Sequence, residues 1–185
     1  MADLLAVCRV RSDRHSIAAL TSLCLVFAAA SPVAAAGVRL LSIHDLTVSA
    51  AAIVVGTIAS AVAEWSETRA QIFTQVELEP EELLKGAVSS RPLSLVQPGG
   101  RVGTEGHMVA KASSFPVGKR VLVFLARRRD GRLGVVGLFQ GKFDVEWDLA
   151  SGREMAVRHA PGSGQIIDQM TLDQLRSEVK TALAH

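Results

Sequence analysis

The sequence predicts a mainly β protein. The expected form is a small five- to six-stranded antiparallel OB-like barrel with a short N-terminal helix and a C-terminal amphipathic helix. Three observations carry this. Short β-branched or alternating segments recur between Gly- and Pro-rich breaks, the pattern of small barrels and sandwiches. Capping boxes stand at Ser42–Asp45 and Thr171–Gln174, one before the strand-rich stretch and one after it. A long break after the third strand suits a five-stranded Greek-key barrel, which closes around one core.

Residues 1–36 read as a signal peptide. Arg9, Arg11 and Arg14 make a basic start, residues 17–30 an uncharged apolar run, and Ala34-Ala35-Ala36 a small-residue cleavage site. The run is shorter than the roughly 20 residues that span a bilayer as a helix. A lipid-modified Cys24 is rejected, because bulky Leu23 precedes it and apolar chain continues past it. Both cysteines, Cys8 and Cys24, then leave with the peptide, which excludes disulfide scaffolds and thiolate metal sites from the exported product.

Removing 36 of 185 residues leaves 149, enough for one domain with its own core. Of 20 basic and 18 acidic residues, three arginines and two aspartates lie in the leader, so 17 and 16 remain. A net charge of +1 does not suit a nucleic-acid binder. The division expected is 1–36 signal peptide, 37–148 barrel, and 149–185 a loop plus terminal helix.

The first capping box predicts a helix from Ile43 to about Ser49. Residues 46–63 carry no charge, and a membrane helix is the alternative there. Ser, Thr, Gly and Ala dilute the stretch, and the β-branched run Ile53–Ile58 suits a buried strand. Over Arg69–Glu79, Ile72, Thr74, Val76 and Leu78 alternate with polar residues, predicting a half-buried strand. Pro80 is expected to end it, with one helical turn or a bend over 81–86. A third strand is expected at Pro92–Val96, stopped by Pro98-Gly99-Gly100.

Residues 99–118 read as a glycine-rich connection. Strands follow at Arg120–Arg127, Leu133–Phe139 and Lys142–Trp147, then a loop over 149–164. In the last helix Leu172, Leu175, Val179 and Leu183 form one stripe.

The loudest charge cluster is "RRRDGR", residues 127–132. Asp130-Gly131 is a tight-turn pair, so Arg127, Arg128 and Arg129 are expected at a solvated hairpin tip. Nucleic-acid recognition on such a sheet wants aromatic stacking platforms, but aromatics are 4% of the chain and tyrosine is absent. An acidic protein surface is the alternative partner for the tip.

"GGRVGTEG" (99–106) spaces glycines like a phosphate loop without GxGxxG, and no helix is expected to open after it. Residues 137–143 imitate the end of a Walker A motif but place Phe143 where Ser or Thr is needed. No histidine pair among His44, His107, His159 and His185 has metal-ligand spacing. No cofactor or metal is expected. Ser113-Ser114 lacks a nucleophile-elbow context. Asp144, Glu146 and Asp148 fall on one strand face, expected to be solvated. Trp65 and Trp147 stand near strand ends, where one could cover the barrel mouth.

The stretches "VVGTIASAVAEWSETRAQIFTQVELEPEELLKG", "PLSLVQPGGRVG", "FPVGKRVLVFL" and "VVGLFQGKF" resemble exported bacterial proteins with an OB-like domain, similar in outline to the netrin/TIMP-type inhibitor barrel. The resemblance covers residues 42–147 and rests mostly on structural positions such as Gly99-Gly100, Gly118 and Gln140-Gly141. It implies a partner-binding or inhibitory role, with a secreted protease as the partner class it points to. TIMP-type inhibition engages zinc through an amino-terminal cysteine, and the expected first residue here is Gly37.

The expected function is thus an exported (periplasmic or extracellular), non-enzymatic domain that binds a macromolecular partner. It neither binds nucleic acid nor stays in a membrane after cleavage. The candidate binding residues are Gly99, Gly100, Arg101, Glu105, His107, Arg127, Arg128 and Arg129. The alternative is a small ligand-binding or hydrolytic barrel using Glu105, His107 and the acidic strand face.

Overall fold

Ser42 opens the first helix, α1 (Ile43–Ser49), through the reciprocal bonds its spacing with Asp45 predicts. The Asp45 N–H donates to Ser42 Oγ at 3.1 Å, and the Asp45 carboxylate accepts the Ser42 hydroxyl at 2.9 Å. That bond holds the carboxyl below the usual carboxylate range. The computed structural model describes residues 39–87, 90–109 and 112–185; the expected signal peptide lies outside them.

Ten strands follow: β1 (Ala52–Trp65), β2 (Ile72–Lys85), β3 (Leu93–Pro98), β4 (Gly100–Val102), β5 (Glu105–His107), β6 (Arg120–Arg127), β7 (Leu133–Val135), β8 (Lys142–Asp148), β9 (Arg153–His159) and β10 (Ile166–Thr171). Helix α2 (Leu172–Leu183) ends the chain, capped by Thr171 and Gln174 as its sequence predicts. Eight strands form one curled antiparallel sheet in the order β10-β9-β8-β6-β1-β2-β3, with β7 also on β6. The ribbon β4–β5 stands apart from it. The described residues are therefore mainly β with two helices, and their strand number exceeds the five or six expected.

Strands β1 and β6 are apolar on both faces because each face has its own core. Val54, Val76, Leu95, Val121, Val123 and Phe115 pack inside the curl. Ile53, Val55, Leu122, Phe124 and Phe143 pack on the other side against α1 and α2, meeting Leu46, Leu172, Leu175 and Val179. The expectation of a single core is corrected accordingly. No helix among the described residues is long and apolar enough to cross a membrane, and the uncharged stretch after Leu46 runs from α1 into β1.

Strand β2 runs through Pro80 to Lys85, so the expected stop and helical turn are wrong. The cause is local. A register shift between Val55 and Gly56 sets Pro80 opposite Gly56. On its other side β2 pairs with β3 only as far as Leu78. Proline is thus at a bulge on an edge, where its missing N–H breaks no ladder. Gly56 admits no side chain, since a Cβ there would lie 2.3 Å from the Glu79 carbonyl oxygen.

Other corrections have equally local causes. Residues 99–107 form the ribbon β4–β5 rather than an open connection. The strand begun at Leu133 stops at Val135, because Gly137 and Leu138 both take positive φ, 63° and 65°. The segment read as loop contains β9, which pairs with β8 and β10.

Strands β7 and β8 use successive parts of the same edge of β6. Strand β3 lies against β7, and a Cβ on Gly134 would lie 3.3 Å from the Val96 carbonyl oxygen. Curling of the sheet thereby leaves a concave wall beside the β4–β5 ribbon.

Candidate functional site

Gly99 and Gly100 turn the chain out of β3 with φ of 93° and 140°, a region that side chains rarely enter. The Gly99 N–H donates to Ile72 O at 2.9 Å, and its carbonyl accepts the Thr74 hydroxyl at 2.8 Å. A Cβ on Gly100 would lie 2.6 Å from Thr74 Oγ1 and 2.8 Å from the Ala63 Cβ. The glycines thus let the ribbon sit directly on β1 and β2.

Between the ribbon and the sheet lies a cleft of about 590 Å³, within the common range for ligand sites. Ala61, Pro98, Val109 and Phe115 supply apolar wall; Thr74, Gln97, Arg101 and His107 supply polar groups. The His107 ring accepts the Ile72 N–H at Nδ1, 3.2 Å away, and meets the Trp65 ring edge-on at 5.4 Å. Its position is therefore set by the sheet. Arg101 Nε donates to Gly103 O at 3.3 Å.

Gln97 is the unusual member. It is 3% exposed, pairs across the strand with Thr74, and its Nε2 has no hydrogen-bond partner among the described residues. Leaving a buried donor unmatched costs about 1–3 kcal/mol. Gln97 borders the cleft, while this amide nitrogen is itself shielded from it. Sequence reasoning missed Gln97, Ala61, Thr74 and Phe115; the one local signal was a glutamine closing the apolar run "LSLVQ".

Of the eight predicted binding residues, Gly99, Gly100, Arg101 and His107 share this cleft, and exposed Glu105 is outside its lining. The arginines are elsewhere, on the β6–β7 hairpin. Arg127 and Arg129 are exposed, in keeping with a solvated tip. Arg128 instead lies over the Phe73 ring at 5.5 Å, with Arg132 at 5.4 Å. Cations beside an aromatic face are attracted by its quadrupole, so part of the cluster packs the hairpin down. Asp130 accepts from Arg132 at 2.9 Å and 3.1 Å, which holds its carboxyl low.

A second cleft, about 430 Å³, is bordered by Ser113, Ser114, Lys142, Asp144 and His159. Lys142 Nζ donates to Asp144 Oδ1 at 2.7 Å, and His159 Nδ1 meets Oδ2 at 3.0 Å. Asp144 is therefore not on a solvated face, as its spacing with Glu146 and Asp148 suggested; a buried lysine draws it inward. Asp148 is spent on the β8–β9 turn, accepting the Ser151 hydroxyl at 2.6 Å, which lowers its pKa. These groups satisfy one another, whereas Gln97 has no such partner.

The hydrolytic alternative needs Glu105, His107 and the acidic strand face in one place, and the fold distributes them among the ribbon's exposed side, the first cleft and the second. Among the described residues no group of three His, Cys, Asp or Glu side chains is placed to hold a metal ion. Comparison of the chain with family models, with curated proteins and with solved structures finds no match.

Proposed function

We propose that this chain is an exported, non-enzymatic binding domain that holds a segment of a partner protein in the cleft beside the β4–β5 ribbon. The carrying observation is the cleft itself, about 590 Å³ with apolar wall from Ala61, Pro98, Val109 and Phe115 and fixed polar groups at Thr74 and His107. Apolar surface with a few fixed polar groups suits a ligand segment. The rigid seating of His107 and Gly100 on the sheet means little reordering on binding.

Export is supported by the leader-like features of residues 1–36. An OB-like closure is supported by the approach of β3 to β7, which gives the ring β1-β2-β3-β7-β6. The resemblance to netrin/TIMP-type barrels makes a secreted protease the partner class to try first. Without a cysteine in residues 37–185, engagement rests on the cleft and not on zinc chelation.

A test uses peptides selected from a random display library against the full chain. Ala61→Trp fills the cleft wall, and Gln97→Leu removes the amide. Selected peptides are expected to lose at least tenfold in affinity on each variant, about 1.4 kcal/mol, with folding unchanged by circular dichroism. Unaltered affinity on both variants would place binding elsewhere and refute the proposal.

A further inference from the structure

We infer that the segment held in the first cleft carries a carboxylate next to an apolar side chain. This rests on the binding function just proposed and adds the chemistry of the occupant. The arginine and the imidazole of the described lining can serve a ligand as donors. His107 accepts the Ile72 N–H through Nδ1, so its neutral ring carries its hydrogen on Nε2 and can only donate there. Arg101 uses Nε on Gly103 O, leaving its two Nη groups for a ligand.

Asp and Glu are absent from the described lining, and Glu105 stands outside it. The one carbonyl of the glycine turn that faces Thr74 is already taken by its hydroxyl. Thr74, Thr104, Ser113 and Ser114 add hydroxyls that serve a donor or an acceptor alike, so the preference for a ligand carboxylate comes from the Arg101 charge, with no acidic side chain in the described lining to oppose it. Bidentate geometry makes arginine well matched to a carboxylate. Ala61, Val109 and Phe115 provide the place for an apolar side chain.

The carboxylate can come from a chain terminus or from an Asp or Glu side chain, and three tripeptides separate the sources. Acetyl-Val-Ala-Leu has a free terminal carboxylate. Acetyl-Val-Asp-Leu-amide carries it on a side chain, and acetyl-Val-Asn-Leu-amide is neutral. Each is titrated into the full chain, following affinity and the NMR signals of the Gln97 side-chain amide and the Gly100 backbone amide. One or both acidic peptides are expected to bind at least tenfold more tightly than the neutral one. Arg101→Gln should remove that difference and Arg101→Lys restore part of it. Binding of the neutral peptide as tightly as both acidic ones overturns the carboxylate inference but leaves the cleft as a binding site. Failure of all three to move the Gln97 signal also overturns it. If peptides selected by display are insensitive to Ala61→Trp as well, the cleft reading falls with it.

Discussion

Replacing Phe124 by alanine is expected to destabilise the protein by about 3–5 kcal/mol, the range for emptying a buried aromatic site. Phe124 is 0% exposed and packs on Phe143 with ring centroids 6.0 Å apart. It belongs to the core that joins the sheet to both helices. Its backbone also receives the Val136 N–H at 2.9 Å and donates to Gly141 O at 2.8 Å, so the surrounding main chain is pinned and collapses poorly into a void. Residual cavity adds to lost transfer free energy under those conditions. Urea unfolding measures the change. A loss under about 1.5 kcal/mol would mean that the helices do not close this core.

Arg158→Ala is expected to cost about 3 kcal/mol and to release the segment ahead of α1. The guanidinium is buried, with its side chain only 4% exposed. Nη1 donates to Leu41 O at 3.1 Å and to Gln140 O at 3.2 Å, and Nη2 donates to Asp168 Oδ2 at 2.6 Å. It also lies over the Phe143 ring at 4.9 Å. Breaking a buried ion pair by deleting one partner costs about 3–5 kcal/mol. The lower end applies because Asp168 is 31% exposed and regains water. Leu41 N–H, which donates to Gln140 Oε1 at 2.6 Å, should lose hydrogen-exchange protection in the variant. Retained protection together with unchanged stability would show that Arg158 is not the fastener of this segment.

Arg158 also shows why part of the fold was hard to read. Strand β9 places an arginine in a buried position, so "REMAVRH" lacks the apolar alternation that marks a half-buried strand. Where the apolar pattern was regular, the elements came out as expected: α1, β6 over Arg120–Arg127 and α2 all follow their capping and hydrophobic spacing. Pro80 misled because its tolerance depends on a bulge in its own strand, set by the register against β1, a property of pairing that no local stretch contains. The same holds for the cleft. Gly99, Gly100, Arg101 and His107 stood out as one glycine-rich segment, but Ala61, Thr74, Gln97 and Phe115 come from three strands and a loop. Only curling of the sheet assembles them.

The acidic strand followed the opposite course. Period-two spacing put Asp144, Glu146 and Asp148 on one face, but a buried Lys142 two residues from Asp144 redirects the first, and a turn takes the last. The arginine hairpin divides similarly. Its Asp-Gly turn was legible, while the docking of Arg128 and Arg132 on Phe73 depends on a strand more than fifty residues earlier.

Placing a photo-crosslinking amino acid at Met108, in cells that make the protein, tests the binding function most directly. Met108 borders the cleft and is 99% exposed; Val48 on α1, 63% exposed and outside the cleft lining, is the control position. Irradiation is expected to join the chain to one discrete partner from position 108 and not from 48, and Ala61→Trp should abolish the product. Equal crosslinking from both positions, or a product at 108 that survives Ala61→Trp, would contradict a partner seated in this cleft.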